Sequence, residues 1–397
     1  MKVCIITSSR ADYGIIAPLM RQVKSDSNMC LQVLVTGMHL SHEFGYTYME
    51  VEKDGFSIDE KIEIILSSDT QQAICKSMAL AMAGFPVAYE RLKPDVIVVL
   101  GDRFEIFCAV TAAIVYRIPV AHIHGGELTE GAFDNAFRHC ITKMSHLHFT
   151  SCEVYRQRVI QMGEEPEYVF NVGAIGIDNI SNYNLLPLKE LQKELGVTFN
   201  KYNLLVTFHP TTLEDNTSEM QFNSLLNALD TLEDTTVIFT KTNADTYGRI
   251  INTLIDQYVK DHSYSAVSFI SLGQLRYLSL LQFVDAVVGN SSSGIIEAPS
   301  FKIGTIDIGD RQKGRVKANS VINCMATTED IIHSIETLYS DEFQGMLKDV
   351  VNPYDGGGDA AIKIKDVLKA NSGRFIIKKH FYDINISETQ GISCKDE

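Results

Sequence analysis

The segment Val98–His139 constrains the fold more than any other part of the chain. A short apolar run, Val96–Leu100, stops abruptly at Gly101-Asp102-Arg103. A second, Pro119–Ile123, stops at His124-Gly125-Gly126-Glu127, and Glu105–Arg117 between them reads as a helix. Strand, helix, strand is the unit of a parallel sheet, in which ligands bind at the carboxyl ends of the strands. Asp102, Arg103, His122, His124 and Glu127 gather at two such ends, and Asp134 and Arg138 follow on the next helix. That density of ionisable groups predicts a catalytic or ligand site rather than structural ion pairs.

The same alternation runs along the chain. Lys2–Thr7 and Leu31–Thr36 read as strands, and the first is followed by Ser8–Gly14, a loop without the GxGxxG of a dinucleotide fold. Gln71–Arg91 reads as a helix interrupted by Gly84 and Pro86, and Lys61–Ile65 has weak strand character. Beyond Pro187 the pattern repeats: strands at Asn203–Phe208, Thr236–Thr240, Val267–Ile270, Ala286–Gly289 and Lys302–Ile308 alternate with helices. At 397 residues one core is too small a container. The chain therefore divides into an α/β domain over 1–180, a second over 181–370, and a tail over 371–397 whose end is expected to be disordered. Two Rossmann-like domains with parallel sheets, facing one another across a ligand cleft, is the predicted fold class.

Each chemical candidate has a bland counterpart. Asn290–Gly294 joins a strand to a helix through small residues, good geometry for an anion held by free N–H groups and the hydroxyls of Ser291, Ser292 and Ser293. Glu297, just beyond, suits ribose hydroxyls, and otherwise caps the same helix. Arg10, Arg103 and Arg311 lie at predicted strand ends in both halves and suit a diphosphate clamp; Arg315 and Lys317 read as solvated. Asp102, Glu127 and Asp134 are candidates for acid–base work, with His122, His124 and His209 as nitrogen bases. A metal held by His122 and His124 with Glu127 or Asp102 is the competing reading. A formal charge of -15 argues against nucleic acid. Eight cysteines without a CxxC pair read as reduced thiols of a cytoplasmic protein, and neither a signal peptide nor a membrane span is expected.

Taken together, SSRADYG (Ser8–Gly14), VTGMHLSHEFG (Val35–Gly45), LGDRFE (Leu100–Glu105), HIHGGE (His122–Glu127), DNAFRHCITKMSH (Asp134–His146), FHP (Phe208–Pro210), GNSSSGIIEAPS (Gly289–Ser300) and IGDRQKGR (Ile308–Arg315) resemble the hydrolysing UDP-N-acetylglucosamine 2-epimerases that feed sialic acid synthesis. The resemblance spans Lys2 to about Leu368. It implies a GT-B-like pair of Rossmann-like domains, a homodimer or homotetramer, a UDP-sugar as substrate, and no metal or nicotinamide cofactor. The implied reaction removes the C2 proton, expels UDP to leave a 2-acetamidoglucal, and adds water to give N-acetylmannosamine. It also implies roles: Arg10, Arg103, Arg311, Ser291 and Ser292 on the diphosphate, Glu297 on the ribose, Asn243 beside the uridine, and Asp102, His122, Asp134 and His209 around the reacting sugar. Some members have a glutamate where this chain has His124. The HIHGGE form is similar to that of bacterial members acting on UDP-GlcNAc or on the 2,4-diacetamido-2,4,6-trideoxy sugar of the legionaminic acid route. A GT-B-like glycosyltransferase and a non-catalytic nucleotide-sugar binder are the other readings.

Overall fold

The computed structural model describes residues 1–66, 68, 70–129, 133–210, 217–242, 248–374 and 377–384. Two parallel sheets organise them. The first contains β1 (Lys2–Thr7), β2 (Cys30–Thr36), β3 (Glu60–Ile62), β4 (Val96–Leu100), β5 (Val120–Ile123), β6 (Leu147–Thr150) and β7 (Val169–Asn171) in the order β3-β2-β1-β4-β5-β6-β7. The second contains β8 (Tyr202–Thr207), β9 (Thr235–Thr240), β10 (Ala266–Phe269), β11 (Ala286–Gly289), β12 (Gly304–Ile308) and β13 (Val321–Cys324) in the order β10-β9-β8-β11-β12-β13. In each sheet the order reverses beside the first strand, which opens a crevice at the strand ends.

Both faces of each sheet are covered, and the strand sequences divide between them with a period of two. Val3, Ile5, Val33, Val35, Val96 and Val98 pack on one side of the first sheet with the helix Arg10–Ser25. Cys4, Ile6, Leu34, Ile97 and Val99 pack on the other with the helices Gln71–Leu92 and Phe104–Val115. Each such side chain contributes roughly 1.5–3 kcal/mol on leaving water, so a register slip would forfeit a whole row.

Several elements differ from the sequence reading. The helix Gln71–Leu92 runs through Gly84 and Pro86. Its buried face, Ala73, Ser77, Ala81, Phe85, Ala88, Tyr89 and Leu92, offsets the roughly 3 kcal/mol of an internal proline. A side chain at Gly84 would overlap Ile62, so glycine lets the helix lie against β3. The first helix begins at Arg10, capped by a reciprocal Ser9–Asp12 box, which places Arg10 on its first turn rather than in a loop. Strand β13 and the helix Asp341–Leu347 had no clear sequence signal.

The last helix of the predicted 181–370 segment does not pack on the second sheet. The helix Ala360–Ala370 returns to the first domain, where Ala360, Ala361, Ile364 and Leu368 join the core beside the helix Arg10–Ser25. Asp178 fastens its start, accepting from the backbone N–H groups of Ala360 (3.1 Å) and Ala361 (2.8 Å). The tail follows it: Lys379 Nζ donates to the Lys143 carbonyl (2.7 Å) and pairs with Glu164 (2.6 Å), and Tyr382 N donates to the Gly163 carbonyl (3.0 Å). The end expected to be disordered, 385–397, lies outside the described residues. Among the described residues no helix is long and apolar enough to cross a membrane.

Candidate active site

The carboxyl ends of the two sheets face each other. Arg10, after β1, donates from Nη1 to the carbonyl of Ile270, after β10, at 2.7 Å. Arg315, after β12, donates from Nε to the carbonyl of Leu128, after β5, at 2.8 Å. Gly14 faces Gln274 so closely that a side chain there would displace the amide.

On the first domain's wall, the β4–β5 register of Leu100 with Ile123 sets Gly101-Asp102 beside His124-Gly125. His124 has φ +64°, a left-handed conformation that costs a non-glycine residue about 1 kcal/mol. Its backbone is held on both sides: its N–H donates to Phe149 O (2.8 Å) and its carbonyl accepts from Arg138 Nη1 (2.9 Å). The strained turn points Nδ1 at Glu127 Oε1, 3.5 Å away. His124 Nε2 is buried without a hydrogen-bond partner among the described residues. Burial pushes the imidazole pKa below its usual range, against the pull of Glu127, so the ring is neutral at pH 7.

Glu127 is the hub of this wall. It accepts from Ser151 Oγ (2.7 Å) and pairs with Arg315 (3.0 Å), with Arg138 at 3.9 Å. Burial alone would raise its pKa; Arg315, then His124 and Arg138, outweigh burial and take it down to about 2. A carboxylate so committed is a poor proton carrier and a good anchor. Arg138 in turn pairs with Asp102 through Nη2. Arg103 braces against the buried Glu105 carboxylate, Nε to Oε2 at 3.3 Å. Burial raises the Glu105 pKa, and Arg103 only partly opposes it. Asp134 opens the helix Asp134–Met144, half-buried.

His122 differs from the sequence reading. It is fully buried, with Nε2 on the Gly101 carbonyl (2.8 Å) and Nδ1 on Thr142 Oγ1 (3.2 Å), and burial pushes its pKa down to about 3. With both nitrogens engaged, the ring ties β5 to the β4 turn. The same bonds remove it from the metal reading, and among the described residues no His, Cys, Asp and Glu cluster converges as a metal site.

On the facing wall, the Asn290 side chain brackets the backbone of His209, accepting from its N–H (2.7 Å) and donating to its carbonyl (2.8 Å). That pair fixes the β8 end against the β11 end, and with it Ser291 and Ser292. Ser291 caps the five-residue helix Ser292–Ile296, its side chain accepting from the Ser293 N–H. Arg311 Nη1 and Gln312 Nε2 both donate to the Asn290 carbonyl at 2.8 Å. Glu297 is buried against Gly176 of the first domain, and its Oε2 has no hydrogen-bond partner among the described residues. Burial raises its pKa to about 7. An unpartnered carboxylate oxygen is a seat for hydroxyl donors. Asn243 lies outside the described residues.

Two basic side chains carry more than the sequence suggested. Arg315, read as solvated, is buried against Glu127, and Lys317 bonds Asp307 at 2.8 Å. No local pattern marks Arg315, because its partners lie in the other domain. Glu105 was visible only as the end of LGDRFE.

Comparison with known proteins now decides the family. The model of the UDP-N-acetylglucosamine 2-epimerase family matches residues 21–369. A hydrolysing GDP/UDP-N,N'-diacetylbacillosamine 2-epimerase of Campylobacter jejuni is 43% identical over 96% of this chain and 99% of its own. The chain belongs to the hydrolysing nucleotide-sugar 2-epimerases. Polysialic acid biosynthesis protein P7 of Escherichia coli is 37% identical to this epimerase over 96% of this chain and 97% of its own. A hydrolysing UDP-N,N'-diacetylbacillosamine 2-epimerase of Legionella pneumophila is 34% identical over 83% and 87%. Among solved structures, the UDP-GlcNAc 2-epimerase of Neisseria meningitidis bound to UDP-GlcNAc superposes with a TM-score of 0.79 at 18% identity, covering 94% of this epimerase and 100% of that chain. That likeness carries the fold, two facing parallel-sheet domains of GT-B form.

Proposed function

We propose that the protein cleaves a UDP-activated 2-acetamido sugar to free UDP and the C2-inverted sugar, and that the sugar is a 2,4-diacetamido-2,4,6-trideoxyglucose. The observation that carries the reaction is the opposition of two walls: Asp102, Arg103 and His124 on one domain, Glu297, Arg311 and the Asn290–Ser292 turn on the other, joined through Glu127 and Arg315 at 3.0 Å. The names of the Campylobacter and Legionella relatives support the diacetamido sugar. The polysialic acid relative keeps UDP-GlcNAc, giving N-acetylmannosamine, as the second reading.

The chemistry assigns each group. Arg10, Arg103 and Arg311, with Ser291 and Ser292, neutralise the diphosphate and make UDP a competent leaving group. Glu297 takes the ribose hydroxyls and Asn243 lies beside the base. His124, neutral at pH 7, accepts the C2 proton at Nε2 while the C1–O bond to UDP breaks, and a glycal forms. Asp102 and Asp134 guide water to C1 and return a proton to C2 on the opposite face; His209 sits by the departing phosphate. Glu127 and His122 position the others rather than carry protons. Elimination and hydration balance to one water consumed with no net oxidation, so no redox cofactor is required.

Incubation with UDP-2,4-diacetamido-2,4,6-trideoxyglucose and with UDP-GlcNAc, each followed by product NMR, tests this. The expected result is free UDP and a 2-epimerised sugar from both or from the first alone, with kcat/KM for the first at least about tenfold higher, a difference of about 1.4 kcal/mol. A preference for UDP-GlcNAc would favour the second reading, and an intact UDP-sugar epimer would overturn hydrolysis.

A further inference from the structure

One short loop, Gly309–Val316, touches both walls. At its start Arg311 and Gln312 hold the Asn290 carbonyl, on the turn that carries Ser291. At its end Arg315 crosses into the first domain. Its side chain is 4% exposed; Nε donates to the Leu128 carbonyl (2.8 Å) and Nη2 to Thr129 Oγ1 (3.4 Å), and Nη1 forms an ion pair with Glu127 Oε2 (3.0 Å). Thr129 Oγ1 and Glu127 are shared with Arg138, which holds Asp102 and the His124 carbonyl. The loop backbone joins Arg311 to Arg315, and ion pairs and hydrogen bonds continue from Arg315 through Glu127 and Arg138 to Asp102 and His124.

The loop is fastened independently of Arg315. Val316 N donates to Tyr155 Oη (3.0 Å), Tyr354 Oη donates to the Val316 carbonyl (2.8 Å), and the two phenols lie 2.8 Å apart. All three groups are set by burial in one apolar cluster with Ile295 and Ile296. With the loop already anchored there, the buried Arg315–Glu127 pair is not required as a fastener. A buried pair of this kind adds little net stability over a well-packed apolar replacement, whereas removing one partner strands a buried charge.

The geometry points to Arg315 as a positioning residue that couples seating of the diphosphate at Arg311 to the placement of His124 and Asp102. This rests on the proposed nucleotide-sugar reaction and names the device that aligns its two halves. When the diphosphate draws Arg311, the stretch from Arg311 to Arg315, ahead of the Val316 anchor, shifts the Arg315 guanidinium, and Glu127 follows with its remaining partners Ser151, His124 and Arg138. Without Arg315, Glu127 loses its nearest cation, and His124 loses the anchor that aims its ring.

The test is Arg315→Met, with Arg315→Lys beside it, in the full-length protein. UDP affinity by calorimetry should stay within about threefold, while kcat on the nucleotide sugar falls about 100-fold, the scale of a 1 Å misplacement at the reacting centre. The acid limb of the kcat profile should move to higher pH, because Glu127 then protonates more readily. Lysine restores the charge without the fork and should recover about tenfold. In the double variant with Glu127→Gln, kcat should fall no further than in the worse single variant. Parallel loss of UDP affinity and kcat, an unmoved acid limb, or additive losses would overturn the coupling. If Arg315→Met does not fold, Arg315→Lys with unchanged kcat overturns it and with reduced kcat and intact UDP binding supports it. Failure of the unaltered protein to bind UDP is a separate outcome, which overturns the nucleotide-sugar reading itself.

Discussion

Glu297 and Glu127 show how one side-chain type takes opposite duties. Both are buried, yet Glu127 faces two guanidinium groups and sits at about 2, while Glu297 is left with burial dominant and sits at about 7. Ribose hydroxyls donate best to the ionised form, so binding of a nucleotide sugar should release a proton from Glu297 below pH 7. Its diphosphate diester does not titrate in that range. The dissociation constant of the nucleotide sugar should therefore rise by about tenfold per pH unit as pH falls below about 7, and Glu297→Gln should flatten the curve while weakening binding at pH 8. A pH-independent affinity in the unaltered protein would remove Glu297 from the ligand site. The stability sign runs the other way: a folded pKa above the unfolded value favours folding at low pH, and that contribution is lost as pH rises from about 4.5 to about 7.

At the scale of elements, the strand ends decide where chemistry is placed. Gly289 closes β11 with φ +131°, and any side chain there would overlap the Thr207 carbonyl oxygen. Gly289→Ala should cost about 3 kcal/mol in denaturant unfolding and disturb the Asn290–His209 pair with it, lowering UDP affinity as well as stability. A neutral effect on both would mean that the β8–β11 contact does not set the Ser291 turn. The strand ends were also what the sequence made legible. Val96–Leu100 and Ala286–Gly289 are fully buried apolar runs followed by a glycine or a polar turn, and such runs announce parallel strands without any partner being known. The helix Gln71–Leu92 was harder to read whole, because Pro86 is a local signal and the burial that overrules it is tertiary. Strand β13 has no buried residue and no long apolar run to announce it.

For the whole molecule, two links between the domains, one of chain and one of side chain, carry consequences that spacing alone does not encode. The helix Ala360–Ala370 completes the core of the first domain, so the chain's two halves are not simply successive domains. Arg315 reaches Glu127 from the far sheet and turns two walls into one site. The motifs contain most of the candidates found at the strand ends, but they did not mark Arg315 as buried, and they did not separate His122, fully bonded, from His124, whose Nε2 is unpartnered among the described residues. The distinction arises from tertiary hydrogen bonds and from a left-handed turn at a non-glycine residue.

The central claim is that this cleft breaks the C2–H bond and the C1–O bond to UDP, then adds water. Turnover of the nucleotide sugar in D2O, followed by proton NMR of the product, tests it directly. The account predicts free UDP, one deuterium at C2 of each inverted sugar released, and none at the other ring carbons. Product that keeps its original C2 proton, or an epimer still joined to UDP, would contradict it.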